Sequence, residues 1–110
     1  MAMSSTDATC DDGSCPVARA VRSLDGKWTL LIVRDLLGGT RRFGELRRSL
    51  AGISPKTLTD RLRDLSDAGL VERRMFAEIP PRVEYSLTDA GRNVEPVIAA
   101  LAAFGHSLPS

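Results

Sequence analysis

The sequence is poor in most of what a catalytic, secreted or membrane-spanning protein requires. It has only two cysteines, Cys10 and Cys15, five apart near the N-terminus with no second pair. Neither a disulfide framework nor a four-ligand zinc site can be assembled from them, and in a reducing compartment both are expected to be free thiols. The single histidine, His106, lies in a stretch of small residues. A metal site made from it and the cysteines would need the two ends of the chain to meet, so no metal is expected. Carboxylates group at Asp25 and Asp35 and again at Asp60, Asp64 and Asp67. No second element supplies a convergent base or nucleophile, so neither catalysis nor a cofactor is expected. The longest apolar run, around Leu30 to Val33, is far too short to span a bilayer, and the polar N-terminus lacks the layout of a signal peptide. A cytoplasmic protein with no membrane contact is expected.

Net charge is equally uninformative, with 15 basic residues against 14 acidic. Its distribution says more. Between Arg41 and Arg82 stand ten basic residues (Arg41, Arg42, Arg47, Arg48, Lys56, Arg61, Arg63, Arg73, Arg74, Arg82) against six acidic, whereas Asp7, Asp11 and Asp12 make the leader acidic. A basic block of this kind is the footprint of a polyanion partner. With 110 residues the chain suits one domain. Residues 1–13, small, polar and without period, are expected to form a flexible leader, 14–106 the folded domain and 107–110 a tail.

Helical spacing predicts most of that domain. Pro16 marks a first helical position, and Val17, Ala20, Val21 and Leu24 form a narrow stripe on a helix of about three turns that buries one face. Lys27 to Leu37 is apolar nearly all round and reads as a central buried helix. Phe43, Leu46 and Leu50 mark a short third helix, and Ala51 and Gly52 link it tightly to the next.

That next stretch, Ile53 to Arg74, organises the rest. Ser54 can cap an early free N–H, Pro55 fits the first helical position, and Gly69 sits where a left-handed C-terminal residue is wanted. Leu58, Leu62 and Leu65 give one apolar stripe, so Lys56, Thr59, Asp60, Arg63 and Asp67 face out. A positive side chain in the first turn opposes the helix dipole, which makes Lys56 a sign of an anionic partner. The outline is a helix-turn-helix. After Gly69 the period changes to two: Leu70, Val71, Arg73 and Met75 suggest one strand, and Val83, Tyr85 and Leu87 another, with Pro80 and Pro81 between them. Such a hairpin after a recognition helix is the layout of a wing. Thr88 and Asp89 begin a last helix with the stripe Val94, Val97, Ile98, Leu101 and Phe104, in which Pro96 either kinks the helix or starts a new one.

The expected fold is therefore mainly α with a small β-hairpin wing, a winged helix-turn-helix. Its first and last helices carry apolar stripes that the small core cannot use. Packing Val17, Val21, Val94, Val97, Ile98, Leu101 and Phe104 against a second copy would bury them in a two-fold homodimer; the alternative is that the last helix folds back on its own domain. Lys56, Thr59 and Arg63 are expected to approach base edges, and Arg41, Arg47 and Arg82 to hold phosphates. Ser54, Thr57 and Asp60 complete the expected set for double-stranded DNA. The competing reading is a winged-helix module that binds protein, its basic block being only a solvated surface.

The run from Cys15 through Phe104 also resembles the HxlR family of bacterial winged helix-turn-helix regulators, close to the MarR group. The resemblance is carried by CPV at Cys15 to Val17, GKWTLLIVRDLL at Gly26 to Leu37, and RRFGELRRSLAGISPKTLTDRLRDL at Arg41 to Leu65. GLVERR at Gly69 to Arg74 and PPRVEYSLTDAGR at Pro80 to Arg92 extend it. It implies a homodimeric repressor or activator without enzyme activity, with the Ser54 helix in the major groove and the Arg82 wing beside the backbone or minor groove. Phe104 departs from the tryptophan of many relatives, and Cys10 lies in the variable leader. The resemblance also implies that Cys15 senses a small oxidant or electrophile. Its N-cap position favours a thiolate, whereas three nearby aspartates oppose one, and a half-buried cap without chemistry is the alternative. Cys10 is either a resolving partner or a bystander.

Overall fold

The computed structural model describes residues 15–109. The expected flexible leader, 1–13, lies outside them. Cys15 is the N-cap of α1 (Pro16–Ser23), which closes at Leu24, whose N–H donates to the carbonyls of Ala20 and Val21. At eight residues the helix is about two turns rather than three. It buries none of its residues, and the face expected to pack, Val17 and Val21, is open to solvent.

The following link turns at Gly26 (φ +111°), and the Thr29 hydroxyl donates to Asp25 C=O at 2.7 Å. α2 (Thr29–Leu37) begins two residues later than expected and buries Thr29, Ile32, Val33 and Leu36, while Leu31 stays exposed. It is central but not sealed on every side.

A two-residue strand, β1 (Arg41–Arg42), precedes α3 (Phe43–Ser49). Glu45 reaches back to accept the Arg42 N–H at 2.7 Å, which satisfies one free donor of the helix start. The chain then turns through Gly52 (φ +95°) into α4 (Pro55–Asp67). Ser54 caps α4 as the sequence predicts, accepting the Thr57 N–H at 3.1 Å. Leu58, Leu62 and Leu65 are fully buried, each contributing about 1.5–3 kcal/mol by leaving water. The dipole penalty of one cation in the first turn is only about 0.3–1 kcal/mol. The leucines therefore set the rotation of α4 and fix which side faces out.

α4 ends in paired bonds, Gly69 N–H to Ser66 C=O and Leu70 N–H to Leu65 C=O, with Gly69 at φ +78°. β2 (Val71–Phe76) and β3 (Arg82–Leu87) follow as an antiparallel hairpin, and β1 pairs on the far side of β3, giving the order β1-β3-β2. The sequence predicts only the two hairpin strands of these three.

The last segment is two helices, α5 (Asp89–Arg92) and α6 (Glu95–Ser107), with Pro96 in the first turn of the second. Of the two outcomes the proline allows, the chain takes the new helix. α6 runs to Ser107, the first residue of the expected tail. Thr88 ties the segment down: its hydroxyl donates to Gly69 C=O at 2.6 Å and accepts the Gly91 N–H at 3.0 Å, while its own N–H donates to Leu70 C=O at 3.0 Å. Gly91 packs so closely on the Leu70 carbonyl that a Cβ there would collide with it. The end of α4, the root of the hairpin and the base of the C-terminal arm thus meet at one joint. Beyond it, α6 buries no residue, although Ile98 packs against the core.

Candidate nucleic-acid interface

The outward side of α4 presents Lys56, Thr59 and Arg63 in the open, with Asp60 half-buried among them. Lys56 Nζ donates to Asp60 Oδ2 at 2.8 Å, and Arg63 Nη1 lies 3.8 Å from the other carboxylate oxygen. The Lys56 hydrogen bond, supported by the charges of Lys56, Arg63 and Arg61, holds the Asp60 carboxyl below its usual range. It is an ionised acceptor at neutral pH between two cations. A lysine can donate to guanine O6 or N7 and an aspartate can accept from cytosine N4, so this trio matches base edges in the major groove. Ser54 and Thr57 are occupied with capping, and the Ser54 hydroxyl also donates to Thr57 Oγ1 at 2.9 Å.

Around this face the arginines differ in what already holds them. Arg47 and Arg48 on α3 are exposed, and no carboxylate lies within ion-pair distance of either among the described residues. Arg41 folds along the turn beside Gly38 and donates to Thr40 C=O at 3.1 Å. Arg61 leaves α4 toward the core side, pairs with Asp64 at 3.2 Å, and packs against Gly26 in the link between α1 and α2.

The hairpin register separates two other arginines. Val71 pairs with Leu87, Arg73 with Tyr85 and Met75 with Val83. Alternate residues share a face, and buried Val71 and Leu87 mark this one as inward. Arg73 and Tyr85 accordingly line a crevice of about 440 Å³ with Thr59, Leu62, Arg63 and Ser66 of α4. Arg82 pairs with Phe76 on the opposite face. Its guanidinium lies 4.1 Å from the Phe76 ring centre, 3.2 Å from Glu78 and 3.3 Å from Glu84. Arg82, expected to hold phosphate, is thus engaged within the wing, and Arg73, for which the sequence predicts no DNA contact, is an open cation beside α4. Its signal was available: an arginine two residues from Val71 falls on the apolar face of its strand.

The expected seam residues also divide. Val17, Val21, Val97, Leu101 and Phe104 are exposed, Phe104 at 61 %. Val17, Val21, Leu24, Leu30, Val97 and Leu101 line an apolar groove of about 710 Å³ between α1, α2 and α6. Val94 is corrected: at 8 % exposure it packs in its own core, because the helix breaks before α6 and turns it inward. Ile98 is half-buried against the same core.

Cys15 caps α1 as expected, but its side chain makes no capping hydrogen bond and is only 2 % exposed. The expectation of a free thiol is corrected too, since the sulfur is in a disulfide. Cys10 lies outside the described residues. His106 sits in the last turn of α6. No helix among the described residues is long and apolar enough to cross a membrane.

Comparison with known proteins fits this geometry. The profile of the HxlR-like helix-turn-helix family matches residues 23–109. An HTH-type transcriptional regulator of Synechocystis sp., sll1512, is 50 % identical over 91 residues, covering 83 % of this chain and 67 % of its own. The crystal structure of a MarR-family regulator from Porphyromonas gingivalis superposes with a TM-score of 0.87 at 42 % identity, over 92 % of this chain and 99 % of that one. The redox regulator HypR in its oxidised form gives 0.82 at 36 % identity, over 87 % and 99 %.

Proposed function

This chain belongs to the HxlR-like helix-turn-helix family of transcriptional regulators, and from that premise we propose that it reads an inverted-repeat operator in double-stranded DNA as a homodimer. The observation that carries the reading is the outward face of α4, where a helix anchored by three buried leucines presents Lys56, Asp60 and Arg63 as one ion-paired group. Lys56, Thr59, Asp60 and Arg63 meet base edges, while Ser54 and Thr57 set the pitch of the helix start. Arg47, Arg48, Arg73 and, from its turn, Arg41 hold phosphates. Arg82 serves by keeping the wing rigid.

The dimer seam is formed by the exposed stripes of α1 and α6. Val17, Val21, Val97, Leu101 and Phe104 supply apolar area that a lone protomer leaves in water. A second copy related by a two-fold axis would cover the groove and place two α4 helices about one DNA turn, near 34 Å, apart.

The signal enters at Cys15. The sulfur forms a disulfide at the start of a seam helix, and a relative of the same fold is a redox regulator. Making or breaking that bond changes how α1 is held. Because Arg61 of α4 packs on the link that follows α1, a shift there reaches the reading helix directly. The signal is an oxidant or small thiol-reactive electrophile.

The test is operator binding by oxidised and reduced protein, with Cys15→Ser and Cys10→Ser alongside. A changed affinity in the wild type, restored by reductant and absent in Cys15→Ser, is expected. Equal affinity of both forms, after mass spectrometry has confirmed their redox states, would remove the redox part and leave the DNA reader. A protein-binding module would instead show no steep loss of affinity with salt on any duplex.

A further inference from the structure

The hairpin tip presents an apolar point where a DNA-binding wing would be expected to present charge. Ile79 is fully exposed, at 102 %, and is followed by Pro80 and Pro81, which fix their own φ and lack N–H donors. The cation at the tip is already held: Arg82 Nη2 lies 3.2 Å from Glu78, and the guanidinium is turned back onto Phe76 and Glu84. Among the described residues no unpaired cation is left there to seek phosphate.

The inward face of the hairpin leads to this point. Arg73 stands beside α4 in the shared crevice, and Met75, on the same face, is 59 % exposed about 7 Å further along the strand. A duplex whose major groove receives α4 would lay its backbone across Arg73 and bring the adjoining minor groove under the tip.

We propose that Ile79 is an apolar wedge that enters the minor groove and partly unstacks one base step, so that the operator is selected for deformability at a position no polar group of the wing reads. Apolar side chains inserted at a base step kink the duplex, and the cost depends on the sequence deformed, lowest at pyrimidine–purine steps. The paired prolines keep the wedge stiff, so little conformational freedom is lost on insertion. Arg82 and its glutamates brace the tip from behind. This inference rests on the DNA-binding reading and deepens it at the wing.

The experiment first enriches duplexes from a random pool with wild-type protein, then places 2-aminopurine at successive steps of the enriched site. Wild type is expected to raise the fluorescence at one step in each half-site, and Ile79→Leu to keep that signal. Ile79→Ala should lose the signal and bind the intact duplex on the order of tenfold more weakly. A mismatch that pre-weakens the same step should restore most of its affinity. A merely structural tip residue would not be rescued by changing the DNA. Since Ile79 touches no core residue, Ile79→Ala should keep the wild-type melting curve. Enrichment that succeeds while Ile79→Ala matches wild type in affinity and fluorescence overturns the wedge alone, as does a lost affinity that the mismatch fails to restore. A pool in which wild type enriches no sequence overturns the DNA-binding reading itself, and the wedge with it.

Discussion

Replacing Arg73 and Arg82 separately by alanine tests the wing geometry most directly, because the two are close in the hairpin yet are assigned opposite roles. Arg73 faces α4 with no ion-pair partner among the described residues, so it should neutralise one phosphate per protomer. Each neutralised phosphate contributes about 0.9 to the slope of log affinity against log salt. A dimer carries two copies, so Arg73→Ala should flatten that slope by about 1.8. Between about 50 and about 200 mM salt, the fall in wild-type affinity should exceed that of the variant by roughly 12-fold. Arg82→Ala should leave the slope unchanged. What it removes is the stack on Phe76 and two partly exposed ion pairs, about 1 kcal/mol in all and local to the wing. Hydrogen exchange should register that loss as faster exchange in β2 and β3. Fluorescence anisotropy over a salt series, on the enriched operator and on a random duplex, gives the slopes. If Arg82→Ala flattens the slope as much as Arg73→Ala, or Arg73→Ala leaves it unaltered, the assignment by strand register is wrong.

Leu101→Glu puts a charge into the proposed seam without touching the core, so light scattering should show folded monomers where wild type is dimeric; a wild type that is monomeric at tens of micromolar (roughly where an interface of standard size would be filled) refutes the dimer. Lys56→Ala should raise the Asp60 pKa toward its unperturbed value by removing the main stabiliser of the carboxylate, which a carboxyl NMR titration would follow. The sign is that of a depressed acid: the Lys56–Asp60 pair helps the fold above the unfolded carboxylate value of about 3.9 and is lost as pH falls below it, so stability at neutral pH should barely respond to pH through this group. In DNA binding, the same variant should lose about 1–3 kcal/mol and relax specificity at one base pair, whereas equal loss on operator and random duplexes would remove Lys56 from base reading. Gly91→Ala should cost about 1–3 kcal/mol through collision with the Leu70 carbonyl, lowering Tm in a thermal melt; an unchanged Tm would mean the joint is looser than its packing suggests.

The parts of this fold legible in the sequence are those governed by local chemistry. Ser54, Pro55 and Gly69 bound α4 within a residue because a cap, a ring and a left-handed turn each act on their own neighbours. Leucine spacing gave the outward face for the same reason. β1 was illegible: Arg41 and Arg42 have no apolar alternation, and they form a strand only because Tyr85 and Glu84 offer an edge. The partners of Arg82 were not legible, because proximity to a wing tip does not say which face a side chain takes; that depends on the pairing with Phe76. Val94 continued an apolar stripe on paper, but a stripe holds only while the helix does, and the break before Glu95 sent it into the core. At Cys15 the position was readable and the oxidation state was not, since spacing records where a sulfur lies and not what it is bonded to.

The joint at Thr88 is built from the carbonyls of Gly69 and Leu70, one hydroxyl and one glycine. None of these groups belongs to the outward face of α4, and none belongs to the exposed stripe of α6. In the proposed dimer, the bases that are read and the distance between the two half-sites are therefore separate inheritances. Changing Lys56, Thr59 or Arg63 alters the letters of a half-site and leaves the spacer alone. Changing the length or pitch of α6 alters the spacer and leaves the letters alone. A lineage, or an engineer, can move one without renegotiating the other, provided the hydroxyl at Thr88 and the bare backbone at Gly91 stay where they are.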